Sequence, residues 1–245
     1  MSIISGVSQP VSTSRPLTLH LVRHGRTQYN DEGRLQGWCD SPLTEAGRHG
    51  VDATVQYLRK VPFVAGWTSP SGRTRHTAEL ILAEHPGLAA VVHPGLREFG
   101  YGEFEAQPEP VLYGRIPPHE LYRDVFSGTF PGLPGGESGR AYLGRVAATF
   151  AEIEWAHPGG GDVLVVSHGV TLLAYLAMVV DTPLRPLMNA SVSTVLINED
   201  GTRSPGIIGH QTSSSDTGQL GPELMLNHVS FVEAASWAAA DTVTA

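Results

Sequence analysis

Two stretches of sequence decide the fold: Leu17-Thr18-Leu19-His20-Leu21-Val22-Arg23-His24-Gly25 and Asp162-Val163-Leu164-Val165-Val166-Ser167-His168-Gly169. Each is a short apolar run that ends in a histidine followed by a glycine. The second run is continuously apolar from Val163 to Val166, which is typical of a strand buried on both faces. Because ligands in open α/β sheets bind outside the carboxyl ends of the strands, we expect His24 and His168 to face one crevice.

Strands and helices alternate along the chain around these two runs. A helix is expected from residue 43 to about residue 60, with Thr44 as its N-cap and Pro62 as its stop. Further helices are expected over 73–83, 138–156 and 169–180, and further strands over 63–67, 89–93 and 193–198. This alternation predicts an α/β fold, a single three-layer domain whose mostly parallel central sheet carries helices on both faces.

Other segments interrupt or flank the alternation. Residues 95–137 are crowded with Pro and Gly and show only a patchy helical pattern near 119–126. We expect them to form an insertion or lid over the C-terminal strand ends. The remaining segments are a flexible lead-in (1–16), a polar loop (200–221), a last edge strand (224–232) and an undetermined tail (233–245), so that the domain is expected to span 17–232.

Composition excludes several classes of partner. The formal charge is −8, which argues against nucleic acid because duplex binding needs a basic face. Cys39 is the single cysteine, so the chain can form no internal disulfide. No apolar run is long enough to span a membrane, and the N-terminus lacks the features of a secretion signal. A cytoplasmic protein without a membrane partner is therefore expected, and a homodimer is left open.

Five side chains form a set suited to phosphoryl transfer. Arg23 adjoins His24, Arg73 opens a helix after a Ser-Pro turn, and Glu98 follows a predicted strand. Arginine binds phosphate oxygens with two parallel hydrogen bonds, neutral imidazole is a nucleophile, and a carboxylic acid can protonate a leaving oxygen. For either His-Gly pair taken alone, a histidine that caps its strand by bonding a backbone group remains the alternative.

The same residues fall within a longer series of motifs. The series comprises Leu21-Val22-Arg23-His24-Gly25-Arg26-Thr27-Gln28-Tyr29-Asn30, Leu35-Gln36-Gly37-Trp38-Cys39-Asp40-Ser41-Pro42-Leu43-Thr44, Ser69-Pro70, Arg73-Thr74, Leu96-Arg97-Glu98, Gly135-Gly136-Glu137-Ser138 and Ser167-His168-Gly169. In content and order these motifs resemble the histidine phosphatase superfamily, also called phosphoglycerate-mutase-like. The resemblance spans residues 17 to about 198.

The resemblance implies a role for each matching residue. His24 would become phosphohistidine, while Arg23, Arg73 and His168 would surround the phosphoryl group. Glu98 would protonate the leaving group and then activate water. Glu103 stays open as an alternative acid, because the stretch after Glu98 departs from the Trp-Glu-Gly of many members. Substrate contacts are also implied for Asn30, Gln36, Gly37 and Gly169, with neither a metal nor another cofactor.

Within the family, the motifs look like those of the broad phosphatase branch. This branch implies a phosphomonoester hydrolase that acts on a small phosphorylated metabolite. One alternative is a cofactor-dependent phosphoglycerate mutase, which usually shows Glu-Ser in place of Arg26-Thr27 and a more basic insertion. Between Glu98 and Glu137 this chain has only two arginines and no lysine. A second alternative is a non-catalytic phospho-ligand-binding protein, although such a protein needs no nucleophile.

Overall fold

A single six-stranded sheet forms the centre of the computed structural model, which describes residues 15–181, 183–213 and 230–241. In chain order the strands are β1 (Leu17–Arg23), β2 (Phe63–Thr68), β3 (Ala90–Val92), β4 (Gly161–Ser167), β5 (Val192–Ile197) and β6 (Arg203–Pro205). Their order across the sheet is β3-β2-β4-β1-β5-β6. The first four pair in parallel, whereas β5 and β6 are antiparallel, so the sheet is mostly parallel as predicted.

Helices of very different length surround the sheet. They are α1 (Gln28–Asp31), α2 (Glu45–Leu58), α3 (Gly72–Leu82), α4 (Glu109–Tyr113), α5 (Pro118–Phe126), α6 (Gly139–Trp155), α7 (Gly169–Val179) and α8 (Phe231–Asp241). The predicted N-cap Thr44 accepts a hydrogen bond from the N–H of Gly47. Within the described ranges, none of these helices combines the length and apolar character that crossing a membrane requires.

The two faces of the sheet carry separate hydrophobic clusters. Along β4, Val163 and Val165 belong to the cluster shared with α6, α7 and α8. The alternate residues Leu164 and Val166 belong to the cluster shared with α2 and α3. All four valines and leucines are fully buried, and each such side chain contributes about 1.5–3 kcal/mol to folding. The prediction of a three-layer domain is therefore confirmed.

The register of β1 and β4 brings the two histidines together. Arg23 lies opposite Ser167 in this parallel pair, and the backbone N–H of His24 donates to the carbonyl of Ser167 at 3.0 Å. His24 and His168 therefore emerge side by side at the same edge of the sheet. The insertion at 95–137, which includes α4 and α5, covers this edge.

Two expectations for the C-terminal third are corrected. Part of the expected polar loop forms the strand β6. The expected edge strand 224–232 is wrong at its end, because Phe231 and Val232 begin helix α8. Phe231 and Ala234 are buried against the core three residues apart, which is helical rather than strand spacing. Residues 224–229, together with most of the lead-in (1–14), the end of the loop (214–221) and the last four residues of the tail (242–245), lie outside the described residues.

Candidate functional site

His24 is held as a neutral imidazole at the end of β1. Its Nδ1 lies 2.8 Å from the carbonyl oxygen of Gly25. Because a carbonyl only accepts, Nδ1 carries the hydrogen and Nε2 keeps its lone pair. Burial lowers the pKa of His24 well below its usual value, and the positive charges of Arg73 and Arg23 lower it further. This is the protonation state that a nucleophilic imidazole requires.

His168 is held in the opposite tautomer. Its ring centroid lies 5.4 Å from that of His24, and it is fully buried. Nη2 of Arg73 approaches its Nδ1 at 3.0 Å, and since a guanidinium only donates, Nδ1 must accept. The hydrogen is therefore on Nε2, which donates to Oγ of Ser69 at 2.8 Å. Burial and the charge of Arg73 lower the pKa of His168 well below its usual value.

These two buried histidines are expected to destabilise the fold in acid. Their folded-state pKa values are lowered, so below the unfolded value of about 6.5 the unfolded chain binds protons that the folded chain does not. Stability should thus fall as the pH drops through this value, by roughly 1.4 kcal/mol per pH unit for each histidine. Urea unfolding from about pH 7.5 to 5.5 measures this slope. In His24→Asn, the pH dependence of the unfolding free energy should decrease by the contribution of one proton. An unchanged pH dependence would contradict the lowered pKa of His24 in the folded protein.

Arg73 holds the loop of residues 37–40, which comes before it in the sequence. Its guanidinium is buried and donates to the carbonyls of Cys39 and Gly37, both at 2.8 Å. Asp40 accepts from Nη1 at 3.0 Å and also from the backbone N–H of Gly72. Asp40 therefore caps helix α3, because the side chain of the helix's own N-cap residue makes no capping hydrogen bond. Nε of Arg73 is buried without a hydrogen-bond partner, which leaves one donor for a ligand oxygen.

Gly169 makes room for Arg23 at the start of α7. The Arg23 guanidinium donates to the carbonyl of Leu187. A Cβ added at Gly169 would lie 3.2 Å from Nε of Arg23 and 3.3 Å from its Cζ, closer than most real contacts. The absence of a side chain at Gly169 thus lets the guanidinium lie against the first turn of α7, beside His24.

Glu98 faces the same cavity as His24, whereas Glu103 does not. Glu98 is buried and accepts from the backbone N–H groups of Val170 and Thr171, both at 2.9 Å. The hydroxyl of Thr171 adds a further bond of 3.0 Å. These donors belong to the first turn of α7, where a carboxylate is favoured by the helix dipole. Glu103 is exposed and does not line the cavity, so the structure brings only Glu98 to the histidines.

The loop around Glu98 is fastened by an ion pair that sequence reasoning missed. Arg145, on α6, binds both carboxylate oxygens of Glu137, at 2.8 and 2.6 Å. The same guanidinium donates to the carbonyls of Arg97 and Glu98 at 3.0 and 3.2 Å. In the sequence, Glu137 stands out only as part of the Gly-Gly-Glu-Ser motif, and no local pattern marks Arg145 as its partner.

Asn30 and Gln36 line the cavity, as expected of substrate contacts. Oδ1 of Asn30 accepts from the backbone N–H of Thr27 at 3.2 Å, and the side chains of Gln36 and Thr27 are hydrogen-bonded at 2.8 Å. Asn189, which sequence reasoning missed, donates to Oδ1 of Asn30 and to the carbonyl of His24. It fixes the backbone of the histidine from a segment without regular secondary structure.

Gly37 was expected to line the cavity, but it supports Arg73 instead. Its carbonyl accepts from the guanidinium, and its N–H donates to Oε2 of Glu105 at 3.1 Å. A Cβ added at Gly37 would lie only 2.2 Å from the carbonyl oxygen of Phe99. The close backbone approach therefore requires glycine at this position. Glu105 holds the loop through the N–H groups of Trp38 and Cys39 as well.

The cavity that these residues border has a volume of about 480 Å³, within the range of small-molecule sites. Arg23, His24 and Glu98 lie on its wall, whereas Arg73 and His168 do not line it. In the described ranges, no group of three or more His, Cys, Asp or Glu side chains is arranged to hold a metal ion.

Known proteins are similar to this chain in sequence and in fold. A model of the histidine phosphatase superfamily (branch 1) matches residues 19–206. The probable phosphoglycerate mutase GpmB of Yersinia enterocolitica is 35% identical over 212 residues, which are 83% of this chain and 95% of the relative. The crystal structure of phosphoglycerate mutase from Bacillus anthracis superposes with a TM-score of 0.75 and 28% identity, covering 82% of this chain and 96% of that one. A mycobacterial glucosyl-3-phosphoglycerate phosphatase superposes with a TM-score of 0.67 and 26% identity, covering 79% and 98%.

Proposed function

The chain belongs to the histidine phosphatase superfamily, and we propose that it hydrolyses a phosphomonoester of a small metabolite through a phosphohistidine on His24. One observation carries the proposal: a neutral imidazole with an unprotonated Nε2 and a buried carboxylate share the wall of one cavity. Two arginines lie around the imidazole and supply positive charge. A phospho-ligand-binding protein would need the arginines but neither the nucleophile nor the acid.

In the first proposed step, Nε2 of His24 attacks phosphorus as the phosphorus–oxygen ester bond breaks. Glu98, which is protonated in the substrate complex, gives its proton to the departing oxygen. Arg23 and Arg73 stabilise the phosphoryl oxygens as charge develops. His168 joins them when its Nε2–H exchanges the hydroxyl of Ser69 for a phosphoryl oxygen. The unpartnered Nε–H of Arg73 gains an acceptor in this complex, which removes the cost of an unsatisfied buried donor.

In the second proposed step, Glu98 removes a proton from water as the water attacks the phosphohistidine. The phosphorus–nitrogen bond breaks, inorganic phosphate leaves, and both His24 and Glu98 return to their starting protonation states. The arginines supply the positive charge that a metal ion would otherwise bring, so we propose a mechanism that needs no metal.

Phosphoglycerate mutase chemistry is the second candidate, because relatives at 34–37% identity carry that name. A mutase has to bind a second phosphate and keep water from the phosphohistidine. The two arginines of the insertion do not serve this purpose. Arg115 stacks on the ring of Phe104, 5.2 Å from its centroid, and the exposed Arg123 pairs with Asp124. Neither lines the cavity, so water is favoured as the acceptor.

The two candidates differ in the products that they form from phosphoglycerate. We expect 3-phosphoglycerate supplied with a trace of 2,3-bisphosphoglycerate to give little 2-phosphoglycerate, while phenyl phosphate releases inorganic phosphate. Both reactions are run with EDTA, because the proposed mechanism uses no metal. Rapid conversion to 2-phosphoglycerate with little inorganic phosphate would establish the mutase instead, and loss of phosphatase activity that only added divalent metal restores would disprove metal independence.

A further inference from the structure

The part of the cavity beyond Glu98 has an aromatic wall. The insertion contributes Tyr101, Tyr113, Tyr122 and Phe126, and α7 contributes Leu173. Pro118, Val170, Pro186 and Leu187 extend the apolar surface. A ligand that enters this space therefore exchanges water for rings and aliphatic groups, which favours an apolar leaving group.

The polar groups of the aromatic wall are uncharged. The hydroxyl of Tyr122 contacts those of Tyr101 at 2.7 Å and Tyr113 at 3.1 Å. These two contacts use two of the three hydroxyl protons, which leaves one O–H to donate to a ligand. Burial raises the pKa of Tyr101, Tyr113 and Tyr122, so the hydroxyls stay protonated and neutral.

Charges around this part of the cavity disfavour an anion. Glu109 lies on the wall. Arg34 also lies there, but its guanidinium is engaged with Glu32 at 2.6 Å and with the carbonyl of Ala106 at 2.9 Å. His119 is exposed, with Glu120 3.9 Å away. A carboxylate or second phosphate on the leaving group would therefore meet the charge of Glu109, which is exposed at this wall. The cation whose charge acts on Glu109 is Arg23, and the proposed function already assigns Arg23 to the phosphoryl group.

From this wall we propose that the preferred substrate is the phosphate ester of an uncharged, largely apolar alcohol, such as an arylalkyl alcohol, and that Glu109 selects against anionic leaving groups. The inference rests on the proposed function for turnover, but it concerns binding of the alcohol portion.

Esters with matched leaving oxygens test the inference. The test uses four esters of unactivated alcohols: 2-phenylethyl phosphate, glycerol 3-phosphate, phosphocholine and 3-phosphoglycerate. Because their leaving oxygens are similar, differences in kcat/KM report how well the cavity binds each alcohol portion. We expect 2-phenylethyl phosphate to exceed 3-phosphoglycerate by roughly 100-fold, which is the discrimination one binding pocket can supply. Equal values, or a preference for phosphocholine or 3-phosphoglycerate, would overturn the inference.

A binding measurement separates this inference from the proposed function. Calorimetry with 3-phenylpropylphosphonate and 4-phosphonobutyrate, which cannot be hydrolysed, should show the same preference for the aromatic compound. If the preference appears without turnover of any ester, the proposed hydrolysis fails while the leaving-group inference stands. If esters are turned over but 4-phosphonobutyrate binds as tightly as 3-phenylpropylphosphonate, the leaving-group inference fails while the proposed hydrolysis stands.

Glu109→Gln tests which group sets the selectivity. We expect it to narrow the ratio of kcat/KM for 2-phenylethyl phosphate over 3-phosphoglycerate by about 10-fold, because it removes the repulsion at the wall. Glu103→Gln is the matched control, since Glu103 is as exposed as Glu109 and lies in the same insertion but does not line the cavity. An unchanged ratio in Glu109→Gln, or an equal change in the control, would contradict the role of Glu109.

Discussion

His24→Asn is expected to lower kcat/KM for phenyl phosphate by roughly 10,000-fold or more, because the side chain that forms the covalent intermediate is lost. Asparagine suits this test since its Nδ2 can replace the Nδ1–H that donates to the carbonyl of Gly25. Phosphate release measures the rate. Acid quenching with labelled substrate should detect an acid-labile phosphoprotein in the natural chain and none in the variant.

The matched control for this variant is His20→Asn, on the strand that leads to His24. His20 is also largely buried, but its ring faces Asp162 at 2.9 Å, and it does not line the cavity. Its substitution should leave the activity of the folded protein near that of the natural chain. If His24→Asn keeps substantial activity, or if both variants lose it equally, His24 is not the nucleophile.

Glu98→Gln is expected to have the second largest effect, with a loss that depends on the leaving group. General acid catalysis contributes about 100- to 10,000-fold, so hydrolysis of an alkyl phosphate should fall by that factor. p-Nitrophenolate leaves without a proton, so p-nitrophenyl phosphate should still phosphorylate His24. The second step still lacks its base, and a burst of p-nitrophenol with accumulation of phosphohistidine should follow.

The geometry around Glu98 supplies the controls for this prediction. In the variant, Oε1 can still accept from Thr171, but the new amide faces the N–H of Val170, which donates to Oε2 in the natural chain. A thermal unfolding measurement therefore accompanies the kinetics. Glu103→Gln should behave as the natural chain with both substrates. An equal loss for alkyl and p-nitrophenyl esters in Glu98→Gln would argue for a structural role rather than proton transfer.

The local parts of the fold and site were predictable from sequence. The strands that precede His24 and His168 are short, apolar and followed by glycine, and the N-cap Thr44 comes directly before a helical pattern. Each of these signals acts within a few residues of the element that it specifies. The parallel pairing of the two strands then follows from the alternation of strands and helices, which places both histidines at one edge.

The features that the sequence analysis did not predict are of two kinds. Some depend on contacts between residues far apart in the chain, and one depends on the N-cap of helix α8. Asn189 bonds a carbonyl 165 residues away, and Arg145 reaches back 47 residues to Glu98. No local pattern marks either one. Helix α8 did carry a signal, because Ser230-Phe231-Val232-Glu233 is a capping sequence and the hydroxyl of Ser230 accepts from the N–H of Glu233. The preceding apolar residues suggested a strand, since short apolar runs do not distinguish strand from helix.

The loop wrapped around Arg73 has a consequence for how the protein can evolve. Residues that serve chemistry commonly reduce stability, so replacing them often makes a protein more robust. Arg73 is different, because the carbonyls of Gly37 and Cys39 and the carboxylate of Asp40 all converge on its guanidinium. Its loss would take the guanidinium donor from both carbonyls and leave Asp40 with backbone donors alone, so this loop would be held less firmly. Homologues of this fold that have lost phosphoryl-transfer activity are therefore expected to retain Arg73 for its structural role.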